Sequence, residues 1–136
     1  MSATPKKPRF ADLILGPLPV DVINRTLGHD LDDGEVVFTG GAQAHAMKRH
    51  AEEFVRCLPH VGSIVCNPDF MGDDFHNPGK IELIGRVPAL DGGVLVAVIV
   101  EPDESGRYRI ASCYRVSAKK IENRRQKGLL RPPRRN

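Results

Sequence analysis

Apolar residues recur with two different periods along the chain, and the switches between them outline its elements. Residues 12–15, DLIL, form a short apolar run cut off by Gly16, Pro17 and Pro19, which predicts a strand. Pro19 suits the first turn of a helix reaching Leu27, with Val22, Ile23 and Leu27 on one side and Gly28 as its stop. Residues 35–39, EVVFT, are rich in β-branched side chains and follow the turn signal Asp32, Asp33, Gly34, so they predict a second strand. The longest helical signal comes next. Met47, Ala51, Phe54, Val55 and Leu58 fall at i, i+4, i+7, i+8 and i+11, the stripe of one amphipathic helix over residues 42–58. Residues 62–66 predict a further short helical piece closed by Asn67 and Pro68, and residues 69–79 read as loop, with Asn77, Pro78 and Gly79 as its clearest turn.

Three strands follow in succession, at residues 80–86, 93–101 and 107–116. The middle one is nearly unbroken in its apolar character, as expected of a central strand buried on both faces. The connections at 88–92 and 102–106 are short enough for antiparallel hairpins. Ser117 can cap a last helix over 118–127, Gly128 can end it, and Pro132 and Pro133 prevent its continuation. The expected fold class is α+β: N-terminal helices packed on a C-terminal antiparallel sheet of 3–5 strands, with a closing helix. A chain of 136 residues accommodates one domain, placed at 10–130, between a disordered basic N-terminus at 1–9 and a flexible basic tail at 131–136.

Composition narrows the function classes. There is no Trp among the 136 residues, so the core rests on Val, Ile and Leu, and a platform of exposed aromatics for stacking bases is not expected. No apolar run approaches the ~18 residues needed to span a bilayer, and no apolar signal segment follows the basic start. The cysteines, Cys57, Cys66 and Cys113, are odd in number and lack a C-x-x-C, which argues against a disulfide framework and a structural zinc site and suits a reducing cytoplasm. Charge is polarised: residues 1–9 carry +3 and residues 119–136 carry +7, which against a total of +3 leaves −7 between them. Basic ends of this kind can engage phosphates by releasing counterions, and equally they keep a chain soluble.

The order of elements carries a resemblance. A strand leads to AHAMKRH at 44–50, followed by IVCNPDFMG at 64–72, KIELIG at 80–85, GVLVAVIVE at 93–101, YRIASCYRV at 108–116 and the charged KKIENRRQKGLL at 119–130. Over residues 12–130 the chain resembles the phage-borne members of the barnase–EndoU–colicin–RelE-like nuclease superfamily, in which a His-bearing helix precedes a Pro-Asp loop and a twisted sheet. The resemblance implies a barnase/RelE-like fold, a metal-independent endoribonuclease activity without cofactor, and a phage- or prophage-derived toxin or effector acting in the cytoplasm of a bacterial host or phage-infected cell. It transfers architecture more safely than activity.

RNA cleavage without a metal needs a base for the 2′-hydroxyl, an acid for the leaving oxygen and cations for the phosphate. His50 is the first candidate: beside Met47, Ala51 and Phe54 it is expected to be partly sheltered, and it matches the closing His of the family's helix motif. The competing reading is a half-buried structural His. His45 lies about 140° away around a helix of 100° per residue, so the pair cannot share a metal as an i, i+4 pair would, but can flank a substrate. Arg49 shares a polar face with His45, Lys48 and Glu52, which reads equally as a solvated face with i, i+4 ion pairs. Lys80 opens a strand after a turn and could reach a phosphate, although edge lysines are common. Ser112 and Tyr114 share one face of the last strand, with Arg115 on the other; Ser112 and Tyr114 match the family's final strand motif.

Arg115, Arg124 and Arg125 complete the phosphate- or RNA-binding candidates, as groups that orient RNA rather than cleave it. The acidic loop of Asp69, Asp73, Asp74 and His76 lacks the spacing of a calcium loop and reads as a solvated turn; His29 and His60 have no such context. The expected partners are therefore an RNA (tRNA, mRNA or rRNA) and an inhibitor or immunity protein, with no membrane; oligomeric state is not legible. The competing function is a binding module for RNA or protein that does no chemistry, supported by the charged ends.

Overall fold

The computed structural model describes residues 10–135; the expected disorder of 1–9 lies outside the described residues. In chain order the elements are β1 (Leu13–Pro17), α1 (Val20–Leu27), β2 (Glu35–Phe38), α2 (Gly40–Arg49), α3 (Ala51–Cys66), β3 (Phe70–Asp73), β4 (Lys80–Val87), β5 (Gly92–Ile99), β6 (Tyr108–Ser117) and α4 (Ala118–Gln126). The class is α+β, as expected, but the sheet has six strands in the order β1-β2-β6-β5-β4-β3. It is mixed rather than antiparallel, because β2 pairs with β6 in parallel at Val36–Tyr108 and Val37–Arg109. The helices are interleaved with strands rather than gathered ahead of them.

The sheet has a core on each face. β5 is buried along almost its whole length, fulfilling its reading as a central strand. Its Val94, Val96 and Val98 join Ile81, Leu83 and Cys113 under α3, whose Phe54, Cys57, Val61, Ile64 and Val65 supply the facing surface. Leu95 and Ala97 point the other way, with Phe70, Ile84 and Val116, against Ile121 of α4 and Leu130. α3 comes so close to β4 that a Cβ on Gly85 would collide with Ile64.

The single helix expected over 42–58 is two. At His50 the backbone takes φ −147° and ψ 64°, outside the helical region. Its N–H still donates to Ala46 at 2.9 Å, ending α2, while its carbonyl accepts from Phe54 at 2.8 Å, starting α3. α3 then runs through Pro59 to Cys66 and absorbs the short piece expected at 62–66. An internal Pro costs a helix about 3 kcal/mol, and here the buried stripe on either side of it outweighs that cost.

Two further corrections concern the edge of the sheet. β3 lies within the stretch expected to be loop, paired antiparallel with β4 from Phe70–Ile84 to Asp73–Ile81. The C-terminal arm, expected to be flexible from 131, is fastened: the main chains of Arg131 and Met71 exchange hydrogen bonds of 2.8 and 2.9 Å. The Arg134 N–H donates to Thr26 Oγ1 at 2.8 Å and the Arg135 guanidinium to the Pro68 carbonyl at 3.1 Å. The arm thereby covers backbone groups that an edge strand would otherwise leave unpaired.

Candidate functional site

A cleft forms where β6 outruns its neighbour. β2 has four residues and matches β6 only at Tyr108 and Arg109, so beyond Ile110 that edge of β6 has no strand beside it. α2 lies along the gap instead. A bulge skips Ala111, as Val98 pairs with Ile110 but Ala97 pairs with Ser112, and such a bulge re-aims the side chains that follow it. The resulting cleft encloses about 490 Å³, within the ~300–1,000 Å³ of small-molecule sites. Its walls are His45, Ala46 and Arg49 of α2, His50 at the helix junction, Glu53 and Phe54 of α3, and Ala111, Ser112, Cys113 and Tyr114 of β6.

Local contacts hold α2 in that position. Thr39 Oγ1 accepts from the Ala42 N–H at 3.1 Å as an N-cap, and Asp12 Oδ1 accepts from the Gly40 N–H at 2.7 Å. Gly40 is required there, since a Cβ would run into the Phe10 carbonyl. The inner anchor is Gln43, 2% exposed, whose Nε2 donates to the carbonyls of Ala11 at 2.8 Å and Phe38 at 2.9 Å. The opposite side of the helix is thus free to present His45 and Arg49, both exposed.

His50 is exposed, not sheltered as the continuous stripe suggested, because the break at its own backbone removes it from that stripe. On the β6 side, Glu53 Oε1 accepts the outward-facing Arg115 N–H at 2.9 Å, tying α3 to the strand edge. Cys113 lies at the floor of the cleft, its thiol pushed up to about 12 by burial and by the neighbouring Cys57 and Glu53. Tyr114 pairs with Leu95, on the α4 side of the sheet. Its phenol is raised by burial and by Glu82, with Arg124 opposing. Tyr114 therefore borders both the cleft and the Glu82–Arg124 ion pair, whose atoms are 3.2 Å apart.

The structure thus brings together His45, Arg49, His50, Ser112 and Tyr114 in one cleft. Arg115 is adjacent, lining a shallow depression with Glu52, Glu53 and Arg56. Lys80 is not at the cleft: it opens β4, opposite Ile99, and β5 lies between β4 and β6. Arg124 and Arg125 are also elsewhere, on α4, paired with Glu82 and with Glu122 at 3.3 Å. Sequence reasoning did not single out Glu53 as a cleft carboxylate, because nothing in a helical pattern marks it as facing β6.

It also gave His29 no context, whereas its Nε2 lies 2.6 Å from Asp73 Oδ1, a contact across 44 residues that no local pattern encodes. The acidic stretch is only partly the solvated turn expected: Asp74 accepts from the His76 and Asn77 N–H groups, each at 3.0 Å, and from Asn77 Nδ2 at 3.1 Å, whereas Asp73 ends β3 and Asp69 accepts from the Arg86 N–H at 2.7 Å.

Chemically, the cleft offers two imidazoles, one permanent cation and a carboxylate, with Ser112 and Tyr114 meeting it along the edge of β6. That set can move protons and hold an anion. Compared with known proteins, residues 14–123 match the model of the family described as phage-Barnase-EndoU-ColicinE5/D-RelE like nuclease3. No curated protein and no solved structure matched the chain.

Proposed function

The chain belongs to this phage-type, nuclease-like family, and on that footing we propose that it is an endoribonuclease that works from the cleft between α2 and the open edge of β6. One of His45 and His50 takes the proton of the RNA 2′-hydroxyl, whose oxygen attacks the adjacent phosphorus. The other gives a proton to the departing 5′-oxygen. The products are a 2′,3′-cyclic phosphate and a free 5′-hydroxyl, and no metal enters the step. Arg49 holds the phosphate oxygens as charge builds on them, and the edge of β6 at Ser112 and Tyr114 positions the substrate. The observation that carries this reading is the meeting of two imidazoles, one from α2 and one from the α2–α3 junction, with a guanidinium in one open cleft.

Free Cys57, Cys66 and Cys113 fit a reducing compartment, and we place the activity in the cytoplasm of a bacterial host or infected cell. There an inhibitor or immunity protein would serve by covering the cleft. The test is cleavage of generic single-stranded RNA in excess chelator. Cyclic phosphate ends are expected, 2′-deoxy substrates should survive intact, and His50→Ala should lose at least ~100-fold in rate. Full cleavage by His50→Ala overturns the assignment. A second reading, RNA binding without chemistry, is favoured by one observation: among the described residues, neither His45 nor His50 has the close carboxylate partner that His29 has in Asp73. Salt-sensitive binding with no products would select it.

A further inference from the structure

The far edge of the sheet carries a feature unrelated to the cleft. Phe70 of β3 is 7% exposed, and two guanidinium groups stand against its ring: Arg86 of β4 at 5.1 Å and Arg125 of α4 at 4.8 Å from the centroid. The docked arm adds to them. The Arg135 guanidinium reaches the carbonyl of Pro68, one residue from the Asp69 that takes the Arg86 N–H, whereas Arg131, paired with Met71, faces the other side of the sheet from Phe70. Arg86, Arg125 and Arg135 are all exposed. The nearby carboxylates are fewer: Asp69 accepts the Arg86 backbone N–H at 2.7 Å, and Glu122 pairs with Arg125 in the open.

A ring can hold a guanidinium against its face by cation–π attraction. Gathering several cations around one ring nevertheless sets like charges side by side, and an anion binding between them relieves that repulsion. Guanidinium groups also present fork-shaped donors that match phosphate oxygens. Arginines from β4, α4 and the C-terminal arm thus meet at residues 68–70, two on the Phe70 ring and one on the Pro68 carbonyl, an arrangement suited to a polyanion. In the strand order, β3 is three positions from β6, about 14 Å at ~4.8 Å per strand. This ridge is therefore separate from the cleft.

We infer that the Arg86–Arg125–Arg135 ridge is a sequence-independent binding site for the phosphate backbone of single-stranded RNA, gripping the strand outside the cleft. The RNA identity rests on the proposed nuclease reading; the ridge itself rests on the arginines. The experiment measures binding of a single-stranded RNA, as a function of salt, to the full chain carrying His50→Ala, with and without Arg86→Gln, Arg125→Gln and Arg135→Gln together. Each lost phosphate contact removes ~0.7 from the slope of log affinity against log salt, so the triple variant should lose about 2 and bind at least ~10-fold more weakly at low salt.

Arg135→Gln alone, at a side chain that supports no core contact, should lose about 0.7 with an unchanged melting temperature, which keeps the test open if the triple variant misfolds. In the His50 wild-type background, cleavage of a dinucleotide too short to reach the ridge should be unaffected by the ridge substitutions. An unchanged slope and affinity in Arg135→Gln and the triple variant overturns the inference and points to an acidic protein as the occupant. If the chain proves not to cleave RNA, the slope change still appears, so failure of the nuclease reading is distinguishable from failure of the ridge.

Discussion

Gln43 is the most exposing point at which to perturb this molecule, because one buried side chain fixes the helix that carries His45 and Arg49. Replacing it with Met keeps the volume but removes the amide that donates to the carbonyls of Ala11 and Phe38. The bond to Phe38 is buried and that to Ala11 partly so. A buried carbonyl left without its donor costs about 1–3 kcal/mol, and the half-exposed one less, since water can replace the amide. Gln43→Met should therefore destabilise the fold by about 2–4 kcal/mol, a large share of the ~5–15 kcal/mol typical of a domain.

Gln43→Glu sharpens the test through pH. Its carboxylate would face two carbonyl oxygens in a buried site, so its folded pKa rises above the ~4.3 of an unfolded Glu. The protonated acid can donate to one of the carbonyls. The sign follows: relative to the parent, this variant is most stable below about pH 4, and that stability is lost as pH rises through the folded pKa. Urea unfolding followed by circular dichroism, from pH 3.5 to 7.5, measures both effects. Stability of Gln43→Met within ~0.5 kcal/mol of the parent, or a Gln43→Glu difference that does not vary with pH, would refute the anchoring role.

Other consequences follow from the same packing. Gly85→Ala places a methyl into Ile64 and should cost ~1–3 kcal/mol by over-packing; Ile64→Val in the same chain should recover part of that loss in the unfolding midpoint. In the native state an alkylating or disulfide reagent should label exposed Cys66 and spare Cys57 and Cys113, whose thiols burial pushes up to about 11 and about 12, with all three reacting in denaturant. Since those folded pKa values are raised from 9.0, the stability linked to them is complete below pH 9 and declines as pH rises through 11 and 12, a trend that melting temperatures should follow. Deleting residues 131–136 removes the paired backbone at Met71 and the bond to Thr26, so it should lower stability by roughly 2 kcal/mol, whereas a loose arm would leave it unchanged.

Sequence periodicity located the elements whose burial is regular and failed where tertiary contacts decide. β4, β5 and β6 were legible because alternating or continuous apolar runs are what a two-faced sheet requires. β3, with Phe70, Met71, Gly72 and Asp73, has no β-branched residue to announce it and is a strand because β4 offers it a partner edge. The helix break at His50 was invisible because the apolar spacing from Met47 to Leu58 runs straight through it, yet Ala51 and Val55 are exposed and α3 buries Phe54, Cys57 and Val61 instead. Pro59 misled in the opposite direction, as burial of Cys57, Val61 and Ile64 carries the helix through it.

At the site, His45, His50 and Arg49 were found by residue type and resemblance, and Ser112 and Tyr114 by alternation in one strand. Their convergence depends on β6 outrunning a four-residue β2, a fact of topology with no local signature. For the same reason Lys80, Arg124 and Arg125 looked like companions of the cleft and are instead spread toward the other edge of the sheet.

The central claim is that both imidazoles beside the open edge of β6 act on one phosphate. It is tested most directly by comparing rates of cyclic-phosphate formation on one RNA for the parent, His45→Ala, His50→Ala and the double variant. Groups acting as a unit give non-additive losses, so each single change should cost ~100-fold or more and the double variant should fall well short of the product of the two. A double variant that cuts at the parent rate would place the chemistry elsewhere on the molecule.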